Sequence, residues 1–207
     1  TMQLLCLHGV DADEAAARAL VERTEGWAAG MYLSLLAARE RPGTDWLAEI
    51  RGDQYGISAF LLDEVLGRQP SDIRLFLEQT SILEELSSPL CAAVTDRADA
   101  GLILERLARD NLFVSALDGH GERFRYHHLF ADLLRSRLAR RGAAEAGRLH
   151  RRAAAWCLDN QRPESAVRHY LAAGDVEATV DLAARTADTL LLQGYVESAS
   201  RLLRLYT

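Results

Sequence analysis

Two adjacent histidines, His127 and His128, stand at the end of the run RFRYHHL and are the residues of this chain best suited to reversible chemistry. Imidazole can donate a hydrogen bond to a phosphate, and its pKa near neutrality lets a nearby anion favour its charged form. The structural alternative is that nearby backbone satisfies both rings. With His150 the pair could in principle bind zinc, but the spacing fits no compact ligand pattern and no cysteine is near, so no metal is expected. Nucleophilic chemistry is poorly provided for. There is no GxSxG-like element for a Ser/His/Asp system, and Asp63 and Glu64, adjacent on a helix, point about 100° apart. Trp27, Trp46 and Trp156 suit core anchors better than stacking platforms. No catalytic residue is assigned.

Composition narrows the classes further. All 24 basic residues are Arg and Lys is absent, so a Walker A loop, a Schiff base or a lysine general base cannot be completed within this sequence. At 207 residues, 49% hydrophobic and 26% charged, the chain is of ordinary globular composition. Its longest nearly apolar stretch, Met31 to Ala38, is far too short to cross a bilayer, and no signal peptide opens it. Cys6, Cys91 and Cys157 are widely separated and read as reduced, buried small hydrophobes in a cytoplasm. The net charge of -6 conceals a basic stretch at 123–152, with 9 Arg against 2 acids. Phosphate contact, if any, belongs to that stretch, although an Arg-rich helix with acids at i, i+4 is more often a solvated or interdomain face.

These residues must be positioned by a largely helical chain. Asp11 or Asp13 can cap a helix to about Thr24, and WAAGMYLSLLAAR at 27–39 reads as a buried helix stopped by Pro42 and Gly43. A short helix is predicted from Thr44 to Ile50. ISAFLLDEVL from Ile57, PSDIRLFLEQTSIL from Pro70, LCAAVT after Pro89 and LILERL at 102–107 supply further apolar stripes. The period then changes to alternation in LFVSALD and RFRYHH, joined by GHGE, which predicts one β-hairpin. Several short helices followed by a hairpin is the order of a winged helix. From Gly142 onward the pattern is helical and repeats, with Glu164-Ser165-Ala166 recurring 33 residues later as Glu197-Ser198-Ala199. That is the period of tetratricopeptide-like hairpins. The predicted organisation is mainly α: a helical subdomain at 1–52, a winged-helix domain at 57–141, and the start of helical repeats at 145–207. Two repeats are too few for a stable array, and the sequence is expected to be a piece of a longer polypeptide.

TEGWAAGMYLSLLA at 24–37, FLLDEVLGRQPSDIRLFLEQTSIL at 60–83, NLFVSALD at 111–118, FRYHHLFADLLRSRL at 124–138, and LHRRAAAWCLDN with AVRHYLAAGD at 149–175 resemble the post-ATPase region of MalT-like, large ATP-binding LuxR-type transcriptional regulators. The resemblance implies an arm set between an ATPase core and a downstream sensor with a DNA-binding helix-turn-helix, all in one polypeptide. The full protein is then expected to bind ATP or ADP, to hydrolyse ATP slowly, and to self-associate when active. In this class a histidine of a Met-His-Asp-Leu motif touches the phosphates of ADP and holds the off state. Tyr126-His127-His128-Leu129 resembles that motif, which implies a cofactor-binding role for His127; Tyr126 and His128 are the departures, and they leave His128 as the alternative. Gly26-Trp27-Ala28 falls where the class has a Gly-x-Pro-like turn near adenine, without the proline, which puts Trp27 on the cofactor side.

The expected function is a regulatory arm, not an enzyme by itself, in a cytoplasmic bacterial activator whose contact with DNA runs through another domain and which has no membrane partner. The same modules also occur fused to other effectors, such as Ser/Thr kinases. The alternative is a winged-helix and helical-repeat adaptor that binds protein without nucleotide. Direct DNA reading by the winged helix itself is poorly equipped, since SSPLCAAVTDR offers one Arg and one Asp.

Overall fold

The computed structural model describes residues 14–27, 30–31, 34, 61–110 and 113–192. The predicted caps Asp11 and Asp13, Cys6, the bulk of the helix after Trp27, the short helix from Thr44, Trp46 and the second copy of the repeat at 197–199 lie outside the described residues. Helix α1 (Glu14–Thr24) buries Ala17, Leu20 and Thr24 on one face. Leu61–Leu66 is a single π-helical turn, where a continuous α-helix is predicted.

The winged helix is built from spacing that the sequence displays. In α2 (Ser71–Thr80) the buried Ile73, Phe76, Leu77 and Thr80 recur at i, i+3, i+4 and i+7, one stripe of a 3.6-residue helix. The same rhythm buries Ala100, Ile103, Leu104 and Leu107 of α4 (Ala100–Arg109). Between them α3 (Ser88–Thr95) starts at Pro89, whose missing N–H is no loss in a first turn, and buries Leu90, Cys91 and Val94. Residues 96–99 join α3 to α4 in a helix-turn-helix, so α4 rather than SSPLCAAVTDR takes the recognition position.

A three-stranded antiparallel sheet follows, in the order β1 (Leu86–Ser87), β3 (Arg123–Tyr126), β2 (Val114–Ala116). Val114 pairs with Tyr126 and Ala116 with Phe124, which is the predicted hairpin. Strand β1 is an addition: two residues are too few for an alternating signal, but the extended backbone entering α3 leaves Leu86 opposite Phe124. Alternation sends Phe124 and Tyr126 into the core while Arg123 and Arg125 point outward.

Helix α5 (His128–Arg140) buries Leu129, Phe130, Leu133, Leu134 and Leu138 and packs against α2. Phe76 and Phe130 are fully buried, each contributing about 1.5–3 kcal/mol. Gly142, at φ 106 and ψ 151, is a conformation available only to glycine, and it turns the chain directly into α6 (Ala143–Asp159). Helices α7 (Pro163–Ala172) and α8 (Val176–Leu192) complete antiparallel hairpins. Their small core of Ala154, Cys157, Ala166, Val167, Leu182 and Ala183 meets the main core at Trp156. Cys91 and Cys157 are buried free thiols, and burial pushes the Cys91 thiol up to about 12. No described helix is long and apolar enough to cross a membrane.

Candidate functional site: the clasp between α1 and the wing

The histidine doublet lies where the wing meets α1. That helix ends in a Schellman arrangement: Gly26 N donates to Val21 O at 3.0 Å and Glu25 N to Glu22 O at 3.2 Å. The residue at C′ is Glu25 at φ 48, where glycine is usual, and Gly26 follows at φ 77. A left-handed non-glycine residue costs roughly 1 kcal/mol or more, a strain that aims the Glu25 carboxylate across to β3.

Arg125 grips that carboxylate with both terminal nitrogens, Nη1 to Oε1 at 3.0 Å and Nη2 to Oε2 at 2.9 Å. His128 Nδ1 lies 2.9 Å from the same Oε1. Burial opposes the charge on Glu25, but hydrogen bonds from His128 and Arg125, with the nearby charge of Arg125, hold its carboxyl below the ordinary range.

His127 is placed differently. It caps α5, its Nδ1 accepting from Leu129 N at 3.3 Å, while its own N donates to Phe113 O at 2.8 Å. Because Nδ1 accepts, Nε2 carries the proton and donates to Thr24 O at 2.9 Å. Burial accordingly lowers the pKa of His127, only partly opposed by Thr24 O and Glu25, and favours this neutral tautomer. The two rings stack at 4.8 Å and 18°.

Trp27 stands edge-on to Phe113 at 4.9 Å and to His127 at 6.1 Å. A Cβ on Gly30 would come within 2.2 Å of the Trp27 ring, so the indole needs a glycine there. Trp27 thus fills the seam between α1 and the wing, and the two residues singled out in the sequence, His127 and Trp27, sit together. Glu25 and Arg125 carry no sequence signature: they meet across 100 positions.

Glu25, His127 and His128 also hold three potential metal-ligand atoms within 4.8 Å of one another. The protein already uses both nitrogens of His127 and both oxygens of Glu25, so the group is a hydrogen-bonded clasp rather than a vacant ligand set.

The basic stretch after the wing is largely consumed internally. Arg137 and Arg141 both bind Glu78, Arg135 binds Asp132, Arg148 binds Glu145, and Arg151 pairs with Asp175. In the recognition position, α4 offers Arg106, paired to Asp110, and the exposed Arg109 in its last turn, beside Glu105 and an exposed Leu102. Neither is a surface made for DNA phosphates.

A winged helix clasped to a preceding helix and continued by helical hairpins defines a mainly α, winged-helix class of chain. Residues 62–146 match the family model of the MalT winged helix domain. Similarity extends well beyond it: the chain is 33% identical over 190 residues to the HTH-type transcriptional regulator MalT of Yersinia enterocolitica, covering 89% of the chain and 21% of that protein. It is 33% identical over 175 residues to MalT of Cronobacter sakazakii, covering 82% of the chain and 19% of that protein. It is also 35% identical over 175 residues to the serine/threonine-protein kinase PknK of Mycobacterium tuberculosis, covering 84% of the chain and 16% of that protein. The chain is a MalT-like one, and it spans about a fifth or less of these relatives.

Proposed function

We propose that this chain is the regulatory arm of a nucleotide-switched, LuxR-type bacterial transcription activator, coupling ATP/ADP state and inducer sensing to a DNA-binding output elsewhere in the polypeptide, and not catalytic alone. The observation that carries this reading is the donor set at the wing. The Nε2–H of His127, the fork of Arg125 and the ring of His128 converge on the end of α1, and they are held there by a carboxylate and a carbonyl.

That set suits a phosphate, since guanidinium forks and imidazoles bind carboxylate and phosphate by the same charge-assisted geometry. ADP would supply an anionic oxygen acceptor, with His127 as its principal contact and Trp27 on the adenine side. Glu25 calls on the same donors, so Arg125 and His128 cannot serve both anions fully. A ligand shifts an equilibrium only by its differential affinity, and this competition gives the arm two arrangements of unequal affinity for nucleotide.

The test is ADP binding to the full-length protein, wild type against His127→Ala and His128→Ala. Loss of roughly 1.5–3 kcal/mol in the His127 variant, about 10- to 150-fold, with ATP affinity little changed, is the expected outcome. Unchanged ADP affinity in both folded variants returns the doublet to structure. That outcome favours the second reading, a protein-binding adaptor without nucleotide dependence, which has its own support: protein groups satisfy both nitrogens of His127.

A further inference from the structure

A second histidine pair lies away from the clasp, where the first helical hairpin meets the winged helix. His150 of α6 and His169 of α7 face each other with Nδ1 to Nδ1 at 2.9 Å and ring centroids 5.2 Å apart. Two neutral imidazoles meeting through the same atom must be opposite tautomers, one Nδ1 donating and the other accepting. Beside them opens a cavity of about 270 Å³, whose lining includes Glu84, Glu85, Arg162 and Arg168. Its acidic and basic walls balance, with Arg168 3.6 Å from Glu84 and Arg162 3.8 Å from Glu85, whose other oxygen is held by Arg123 at 2.6 Å, which leaves Glu84 the more available carboxylate. Burial keeps both rings in the neutral, ligating form at pH 7, His169 with a pKa of about 4.

We propose that His150 and His169 form a two-histidine clip for a divalent transition-metal ion of the zinc class, bound through the two Nδ1 atoms at the mouth of this cavity. Zinc–imidazole bonds of about 2.0–2.1 Å at a tetrahedral angle set the nitrogens about 3.3 Å apart, so the rings, which meet head-on, must part by about 0.4 Å and each turn by about 35° toward the cavity. The proton between them leaves Nδ1 of the donor ring, and that ring takes one from water at Nε2. Two neutral imidazoles then ligate the ion with no net proton release. Waters complete the coordination, with Glu84 and Glu85 as carboxylates on the same wall. Imidazole favours Zn²⁺, Ni²⁺ and Cu²⁺ over Mg²⁺ and Ca²⁺. The ion would fasten α6 to α7 beside the turn that enters β1. This proposal does not depend on nucleotide.

The experiment titrates the full chain with Zn²⁺ alone, in chelator-buffered solution, while imidazole ¹⁵N shifts are followed. Both Nδ1 signals of His150 and His169 are expected to move together at one equivalent, with Mg²⁺ producing no shift. The variants H150A and H169A should each weaken Zn²⁺ binding by about tenfold or more. Zinc shifts confined to His127 and His128, or binding that survives H169A unchanged but disappears in H128A, place the ion at the clasp and overturn the proposal. So does the absence of any shift at saturating zinc, a result read in the wild type and independent of how the variants fold.

Discussion

Glu25 and Glu78 are each held by two basic side chains, yet they sit in opposite settings. Glu78 is 1% exposed, inside the winged helix, with Arg137 Nε at 2.6 Å on one oxygen and Arg141 Nε at 2.5 Å on the other. Its two partners lie one turn apart, on the last turn of α5 and at its C-cap, so α2 and α5 are locked at one spacing. The Glu25 side chain is 26% exposed, its backbone is strained into the left-handed region, and it meets its partners across a seam between elements. Water can replace its bonds; nothing buried can replace those of Glu78. The same chemistry is therefore a permanent fastening in one place and a releasable one in the other.

The sharpest way to break this contrast is Glu78→Ala, which leaves two part-exposed arginines beside a buried vacancy. A loss of about 1.5–3 kcal/mol in urea unfolding is expected, against less than about 1 kcal/mol for Glu25→Ala. Comparable losses at the two sites would end the distinction. Acid supplies a second probe. Burial holds the folded pKa of His169 near 4 and lowers those of His150 and His127, so the unfolded chain takes up protons that the folded one refuses. Their contribution is complete above about pH 6.5 and drains as pH falls toward 4, His169 alone accounting for about 3 kcal/mol. Glu25, its carboxyl also lowered, contributes above 4.5 and loses that contribution below it. Thermal denaturation between pH 7 and 4 should show the drop, and H169A should flatten most of it.

A smaller effect is expected at the core of the wing. Thr80 Oγ1 donates to Phe76 O, so the buried Tyr126 hydroxyl must be the donor in their 2.7 Å bond. Tyr126→Phe removes that donor without exposing Thr80, at a cost of about 1 kcal/mol. The smallest change in global stability belongs to Glu25→Gly, which relieves the left-handed strain while cutting the clasp. Unfolding free energy should move by less than about 1 kcal/mol in either direction, while amide exchange at 127–129 accelerates. A large global destabilisation would show that the seam is structural rather than releasable.

The winged helix was readable because its helices keep apolar residues at i, i+3, i+4 and i+7 and its hairpin switches to alternation. Strand β1 was not, since two residues carry no period. The Arg-rich stretch was legible as an interdomain or solvated face, but the burial of Glu78 depends on two arginines 59 and 63 residues away. The doublet and Trp27 stood out by type and by resemblance. Their partner Glu25 sits at an ordinary helix end, and only the tertiary fold brings Arg125 to it. The His150–His169 pair escaped for the same reason, because a spacing of 19 matches no local ligand pattern.

Gly142 joins the fixed end of the wing's last helix to the hairpins. Helix α5 begins at His128 and runs 13 residues, about 20 Å, to a joint of two residues before α6. Arg137 and Arg141, on Glu78, tie that far end to α2, so a disturbance at the histidine end is held within the winged helix. No slack loop follows, and the single glycine, confined to a conformation no other residue adopts easily, makes the hairpins a stiff continuation of that anchored end.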